Sequence, residues 1–192
     1  MPSIEYLVAE LICGDDARAE TAANELALLG KKALPALQYL FASDDPDHRW
    51  WALRSIAAIK TPQSKQMLYN ALNDADQYVR QCAALGLCQQ PDPNAIPLLI
   101  QALKSEDRLY VSLAADALIA VGDESVSYLL EALQEGDPAT RLEAVRALAM
   151  IADPRAISAL FSLLDSNSSL MAYWAEFGLE RMGVGMIFFK PG

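Results

Sequence analysis

Acidic side chains are the residues of this sequence that come closest to a catalytic set, because paired carboxylates can act as general acid and base. They are grouped at three places, which are Asp15 with Asp16, Asp44 and Asp45 with Asp47, and Asp123 with Glu124. Each group falls in a predicted loop or helix start, where aspartate ordinarily caps the helix and stays solvated. No pair is singled out by its spacing, so we expect no catalytic carboxylates.

Nucleophiles and metal ligands are few. His48 is the only histidine, and no serine or cysteine recurs at a fixed offset that would suggest a nucleophile. The chain has three cysteines, which cannot all pair. Cys82 and Cys88 are six residues apart on one predicted helix and point to different sides of it. We therefore predict no disulfide, no metal site, no cofactor and no catalytic residue.

Three arginines could form an anion site. Arg49, Arg80 and Arg141 each follow a predicted helix cap by four residues. Stacked repeats would align them in a ladder, interrupted where Val111 takes the same position. An aspartate and an arginine four residues apart can also tie stacked turns together. We favour this structural explanation over an anion site.

An alanine that recurs at intervals of 30 or 31 residues predicts the helices that carry these residues. Its members are Ala22, Ala52, Ala83, Ala114, Ala144 and Ala175. A large apolar residue follows four positions later, on the same helical face, at Leu26, Ile56, Leu87, Leu118, Leu148 and Leu179. A third apolar column contains Phe41, Leu72, Leu103, Leu133 and Leu164. The pattern predicts an array of helix pairs.

Turn chemistry divides each repeat into two helices. First helices are predicted to begin after the N-caps Asp45, Asp76, Asp107 and Asp137. Second helices are predicted at 34–41, 65–72, 96–103, 126–133 and 157–164. We predict a single domain over residues 1–192, with an N-terminal cap at 1–14, five repeats at 15–164, and a half repeat with an apolar tail at 165–192. The half repeat is a helix at 169–182, and we expect the tail at 184–192 to fold over it.

Exposed positions of the second helices are the candidate binding surface, because in helical arrays these helices usually line the concave side. The candidate partner-binding residues are Tyr39, Met67, Asn70, Leu98, Gln101, Tyr128 and Glu131. Apolar side chains beside amides and a carboxylate suit a peptide or protein partner. The alternative is that Met67, Leu98 and Tyr128 merely pack between repeats.

Trp50 and Trp51 form a second candidate surface. Neighbouring residues on a helix cannot both face the same core, so we expect one of them at the surface or against the previous repeat. It would then be a possible partner anchor. Simple packing is the alternative for these aromatic residues.

Composition limits the partners. The 192 residues are 53% hydrophobic and carry a net charge of −10. Basic residues are dispersed, so we expect no nucleic acid and favour basic protein partners. No apolar run approaches the roughly 20 residues that span a bilayer. The N-terminus lacks a basic start followed by an apolar block, so we expect a cytoplasmic protein with no membrane span.

The repeats also resemble a known family. Tyr78-Val79-Arg80 with Ala83-Ala84-Leu85-Gly86, and Asp137-Pro138 with Arg141, are similar to the signature of HEAT repeats. The resemblance over about residues 15–183 is to the phycobilisome-lyase HEAT-like subgroup. It implies an all-α fold, a right-handed α-α superhelix of about five helix pairs with a terminal capping helix and tail. Members of that subgroup include bilin lyase subunits, phycobiliprotein chaperones and adaptors without a chromophore.

These observations leave three functional hypotheses. The first is a non-enzymatic scaffold or adaptor that binds a protein partner on its concave face. The alternative, which rests on the resemblance alone, is a bilin lyase subunit or phycobiliprotein chaperone, which would need a companion subunit. The third is an assembly adaptor whose own apolar tail docks elsewhere.

Overall fold

The computed structural model describes residues 2–184, and within that range it contains helices and turns and no strand. The α-helices are α1 (Ile4–Leu11), α2 (Asp16–Leu29), α3 (Leu34–Phe41), α4 (Pro46–Ala57), α5 (Pro62–Ala71), α6 (Gln77–Gln89), α7 (Ile96–Ala102), α8 (Arg108–Val121), α9 (Val126–Glu135), α10 (Pro138–Ile151), α11 (Ile157–Phe161) and α12 (Ser169–Arg181). Short 3-10 helices lie at Gly30–Lys32, Pro93–Ala95, Gly122–Ser125 and Pro154–Ala156. The all-α prediction is confirmed.

The chain divides into two compact units, Met1–Asn94 and Ala95–Gly192, which we call the N-terminal unit and the C-terminal unit. The division falls between α6 and α7, inside the third predicted repeat. In the N-terminal unit the first helices α2, α4 and α6 pack on one another in sequence, and in the C-terminal unit α8, α10 and α12 do the same. The single domain over residues 1–192 stays a prediction.

The recurring alanine and its large apolar partner form the core of both units. Every member of these two columns is at most 2% exposed. Alanine at this position lets helix backbones approach closely, which leaves the larger residue to fill the space between them. The third column is buried at Leu72, Leu103 and Leu133 and partly buried at Phe41 and Leu164.

Two glycines mark the closest helix approaches. A Cβ added at Gly86 in α6 would lie 2.6 Å from Cδ2 of Leu68 in α5. A Cβ at Gly178 in α12 would lie 2.8 Å from the Cα of Ala149 in α10. Both distances are shorter than van der Waals contact, so a side chain at either glycine would push the packed helices apart.

Aspartate caps begin the first helices as predicted. The carboxylates of Asp45, Asp76, Asp107 and Asp137 each accept a hydrogen bond from a backbone N–H in the first turn of the helix that follows. Asp15 caps α2 in the same way. These bonds satisfy amides that would otherwise have no partner inside the helix.

The second helices differ in length from the prediction. Helix α3 has the predicted bounds, whereas α5 begins at Pro62, three residues before the predicted start. The cause is a capping box, in which Thr61 Oγ1 accepts from the Ser64 N–H at 3.0 Å and Ser64 Oγ accepts from the Thr61 N–H at 2.9 Å. Helix α11 is only five residues long.

The ends of the described chain are single helices. Helix α1 is the predicted N-terminal cap, and the hydroxyl of Ser3 accepts from the Tyr6 N–H at its start. Helix α12 begins at the predicted residue. Of the predicted apolar tail, all but Val184 lies outside the described residues. No helix between residues 2 and 184 has the length and apolar character needed to cross a membrane.

Candidate functional site

The second helices of the N-terminal unit present a polar face with one large aromatic residue. Tyr39 on α3 is 86% exposed, and Asn70 on α5 is also exposed. The two helices are linked by a hydrogen bond, in which Gln63 Nε2 on α5 donates to Gln38 Oε1 on α3 over 3.3 Å. Tyr39 and Asn70 are therefore accessible, and their role as binding residues is a proposal.

Met67 does not belong to this accessible face. Its side chain is only 6% exposed and packs in the buried apolar cluster that also contains Ile56 and Ile59. A methionine at this position fills space between helices, so a partner cannot reach it. The expectation that Met67 binds a partner is wrong, and the alternative that it packs between repeats describes its place in the fold.

The C-terminal unit has a groove between α7 and α9. The groove encloses about 310 Å³. The α7 side contributes Pro97 and Ile100, and Lys104 follows shortly after that helix. The α9 side contributes Tyr128, Glu131 and Glu135. The groove thus combines an apolar floor with an aromatic residue, two carboxylates and one ammonium group.

Two of the sequence-predicted residues meet in this groove. Tyr128 is 43% exposed, and Glu131 lies one turn further along the same face of α9. Leu98 is partly buried and Gln101 is exposed, and neither lines the groove. Sequence reasoning missed Ile100 and Glu135. Glu135 could have been found from its spacing, because it is four residues after Glu131 and so shares its helical face.

The charges around the groove are unequal. Among residues 2–184, Lys104 is the one basic residue that lines the groove, against two glutamates. Nearby, hydrogen bonds from the backbone N–H and the hydroxyl of Thr140, with the charge of Lys104, lower the pKa of Asp137, which keeps that carboxyl ionised. The negative charge of the groove therefore exceeds its positive charge at neutral pH.

The tryptophan pair lies on α4. Their rings meet edge to face, with centroids 4.8 Å apart and an angle of 88° between planes. Trp51 packs against the core cluster of the N-terminal unit, and both side chains are half-buried. Neither Trp50 nor Trp51 stands free in solvent, and the possible surface anchor stays a prediction.

The equivalent arginines of the two units differ in their hydrogen-bond partners. Arg49 donates from Nε and a terminal nitrogen to the carboxylate of Asp74 at 2.9 and 2.8 Å, and to the carbonyls of Ser43 and Asp44 at 3.0 Å. Arg80 donates to the carbonyls of Asp74 and Ala75. Asp74 belongs to the next turn of the array, so Arg49 does join successive repeats.

This ion pair changes the acidity of Asp74. Burial of the carboxyl raises its pKa, but hydrogen bonds from Arg49 and from the Asp76 N–H outweigh burial and lower the pKa below its ordinary value. In the C-terminal unit, by contrast, the Nε of Arg141 is buried and has no acceptor within the described part of the chain.

The cysteines and the single histidine are the groups with nucleophilic or acid-base potential outside the carboxylates. Burial raises the pKa of the Cys82 thiol to about 12, so this cysteine stays protonated at neutral pH. Cys13 is also a free thiol, and the Sγ of Cys88 donates to the carbonyl of Ala84 at 3.3 Å. His48 has Nδ1 at 3.3 Å from Ser43 Oγ and Nε2 at 3.7 Å from a carboxylate oxygen of Asp45. Among residues 2–184, no three histidine, cysteine or acidic side chains cluster as a metal site would require.

Comparison with known proteins places the chain among helical repeat proteins. The HEAT repeat family matches residues 4–81, 66–136 and 112–180. A bilin biosynthesis protein, RpcF of Synechococcus sp. (strain WH8020), is 38% identical over 78 residues, which are 41% of this chain and 37% of RpcF. The chain therefore matches little more than a third of that relative.

Solved structures share the fold. An archaeal HEAT-like repeat protein from Thermococcus onnurineus NA1 has a TM-score of 0.68 and 18% identity, covering 98% of this chain and 83% of that protein. The complex of CpcE and CpcF of phycocyanin lyase from Nostoc sp. PCC7120 contains a chain with a TM-score of 0.60 and 22% identity, covering 75% of this chain and 96% of that one. The resemblance to lyase-like HEAT proteins is thus supported, and the chain belongs to the HEAT repeat family.

Proposed function

We propose that this chain is a non-enzymatic scaffold that binds another protein, and that the groove between α7 and α9 anchors the partner. The supporting observation is the groove itself, in which the half-exposed ring of Tyr128 stands beside Ile100 and Pro97. Tyrosine is favoured at protein interfaces because it combines a large apolar surface with a hydrogen-bonding end. Tyr39 and Asn70, exposed on second helices of the N-terminal unit, are a separate candidate contact.

The charges of the groove favour a particular partner. Glu131 and Glu135 would attract lysine or arginine, and the net charge of −10 would speed the approach of a basic partner. The apolar floor would take one apolar side chain from the same segment. We therefore propose that the occupant is a partner segment in which an apolar residue is flanked by basic ones.

Cross-linking can identify the partner. A photoreactive amino acid at position 128 should capture a protein that the same group at Leu109, an exposed residue of α8, does not. The captured protein is then purified for binding measurements. Identical captures from both positions would contradict an anchoring role for the groove.

Charge reversal tests the proposed chemistry with a matched control. Glu131→Lys with Glu135→Lys should weaken binding of the captured partner by roughly tenfold or more, because each favourable ion pair becomes a repulsion. Glu176→Lys with Glu180→Lys makes the same charge change at two exposed glutamates with the same spacing on α12. This control should retain wild-type affinity. Equal losses of affinity in both variants would mean that the net charge of the chain, and not the groove, determines binding.

The match to RpcF supports a second candidate, a bilin lyase subunit or phycobiliprotein chaperone. Such a role would need a companion subunit, and the Nostoc structure is a complex of two proteins, CpcE and CpcF. Incubation of the purified chain with a bilin and an acceptor protein, with and without a candidate companion, should then shift the visible absorption of the bilin. An unchanged spectrum in both mixtures would reject this candidate.

A further inference from the structure

A second cavity, of about 680 Å³, lies in the N-terminal unit away from the proposed groove. Its walls are two successive turns between helices, at 60–62 and at 89–92 with Asn94, together with Lys65 and Gln66 of α5. The volume lies within the range of sites that hold small organic ligands, which is about 300 to 1,000 Å³. Nothing in the proposed protein-binding role uses this cavity.

A buried amide with one unpaired atom lines the cavity. The side chain of Gln90 is 3% exposed, and its Nε2 donates to the carbonyls of Ala57 at 2.7 Å and Ile59 at 3.3 Å. These two bonds fix the orientation of the amide. They leave Gln90 Oε1 buried and without a hydrogen-bond donor among the described residues. A ligand that moves the covering side chains aside could donate an N–H or O–H group to this unpaired oxygen.

Two lysines bring positive charge to the same cavity. Lys60 and Lys65 both line the cavity, and Lys65 Nζ donates to the carbonyl of Pro91 at 2.9 Å. Asp92 is the one carboxylate that the described part of the chain contributes to the lining, and its Oδ1 already accepts from the backbone and side-chain nitrogens of Asn94. In a chain with a net charge of −10, the cavity is therefore a local site for an anion.

We propose that the cavity binds the free carboxyl terminus of a peptide. The carboxylate would pair with Lys60 and Lys65, while a peptide N–H next to that terminus donates to Gln90 Oε1. A phosphate ion at neutral pH supplies charge and at least one O–H donor, but it would leave most of this cavity empty. A peptide terminus carries both groups within one residue, and the cavity has room for a few residues.

The test is titration of the isotope-labelled full chain, followed by NMR. N-acetyl-tetraalanine with a free carboxyl terminus should shift the side-chain amide signals of Gln90 and the backbone signals of Lys60 and Lys65. The same peptide with a C-terminal amide should bind about tenfold more weakly, because it lacks the charge. Propionate, which has a carboxylate but no N–H, and inorganic phosphate, as separate titrants, distinguish a peptide terminus from a small carboxylate and from any anion.

Matched variants complete the experiment. Lys60→Gln should weaken binding of the acid peptide about tenfold and leave binding of the amide peptide unchanged. Lys32→Gln removes the same charge from another exposed turn of this unit and should change neither affinity. The proposal would be overturned by equal binding of the acid and amide peptides, or by equal effects of the two variants. It would also be overturned by competition from phosphate at the same concentration as the peptide, or by no shift of the Gln90 signals up to about 10 mM peptide.

Discussion

Arg49 in the N-terminal unit and Arg141 in the C-terminal unit hold the same position in their repeats but differ in what they bind. Each arginine is the fourth residue after the aspartate that caps its helix. The guanidinium of Arg49 is held by the carboxylate of Asp74 and by two carbonyls of the preceding turn. Arg141 has its Nε buried with no acceptor within residues 2–184.

The preceding turn explains part of this difference. Between α3 and α4 the chain runs from Ala42 through Asp45, whereas between α9 and α10 only Gly136 and Asp137 remain. The shorter turn is tight, since a Cβ at Gly136 would lie 2.5 Å from the carbonyl oxygen of Ala132. It offers fewer free carbonyls, so the same arginine finds fewer acceptors. Repeat position thus specifies where a helix begins but not what its side chains bind.

The largest expected effect comes from the removal of Arg49. Arg49→Met leaves the carboxylate of Asp74, whose side chain is 10% exposed, without the guanidinium that donates to it, and only the charge of Arg80 acts on it from nearby. We expect a loss of roughly 2 to 4 kcal/mol in the free energy of unfolding, because a buried charge that loses its partner is costly. Urea unfolding followed by circular dichroism measures this loss.

Arg141→Met is the matched control. It removes a guanidinium whose Nε has no acceptor in the described chain and keeps the aliphatic stem, so the free energy of unfolding should change by no more than about 0.5 kcal/mol. Equal losses for the two variants would show that the arginines act through packing alone and would remove the contrast between the turns.

The stability that the ion pair of Arg49 and Asp74 contributes should depend on pH. The pKa of Asp74 is lower in the folded chain than its ordinary value of 3.8, so its ion pair stabilises the fold above about pH 4. That stability is lost as the pH falls through the folded pKa. The gap between wild type and Arg49→Met should therefore be largest at neutral pH and close as the solution becomes more acidic than pH 4. A gap of constant size between pH 7 and pH 2 would contradict this account.

Much of the fold could be predicted because the repeat amplifies a weak signal. One buried alanine is unremarkable, but six at intervals of 30 or 31 residues define a face of every first helix. The caps were equally clear, since aspartate before a helix has few other structural uses. Helix ends were less clear. The early start of α5 depends on Ser64 and Thr61 bonding to each other, which no repeat predicts.

The candidate site was predicted less completely for a related reason. Met67 and Tyr128 occupy equivalent positions, yet the methionine is 6% exposed and the tyrosine 43%. A column of aligned residues gives their direction on the helix, whereas exposure depends on the neighbouring helices and on side-chain length. Gln90 is the clearest case, because its two bonds to the end of α4 connect residues more than 30 positions apart.

A smaller effect than that of Arg49→Met is expected from an attempt to make the two turns alike. Asp74 lies 25 residues after Arg49 and accepts from the backbone N–H two residues later, at Asp76. Ser166 lies 25 residues after Arg141 and accepts in the same way from the N–H of Ser168, over 3.2 Å. Ser166→Asp would keep this bond and bring a carboxylate towards the guanidinium.

Ser166→Asp should raise the free energy of unfolding by about 0.5 to 1 kcal/mol, because a partly exposed ion pair is worth less than a buried one. In the background of Arg141→Met the same substitution should give no gain, and the difference between the two backgrounds isolates the ion pair. A gain of the same size in both backgrounds would assign the effect to the cap of α12. No gain in either would mean that the shorter turn before α10 holds Arg141 out of reach of the following turn, so that turn length alone separates the two arginines.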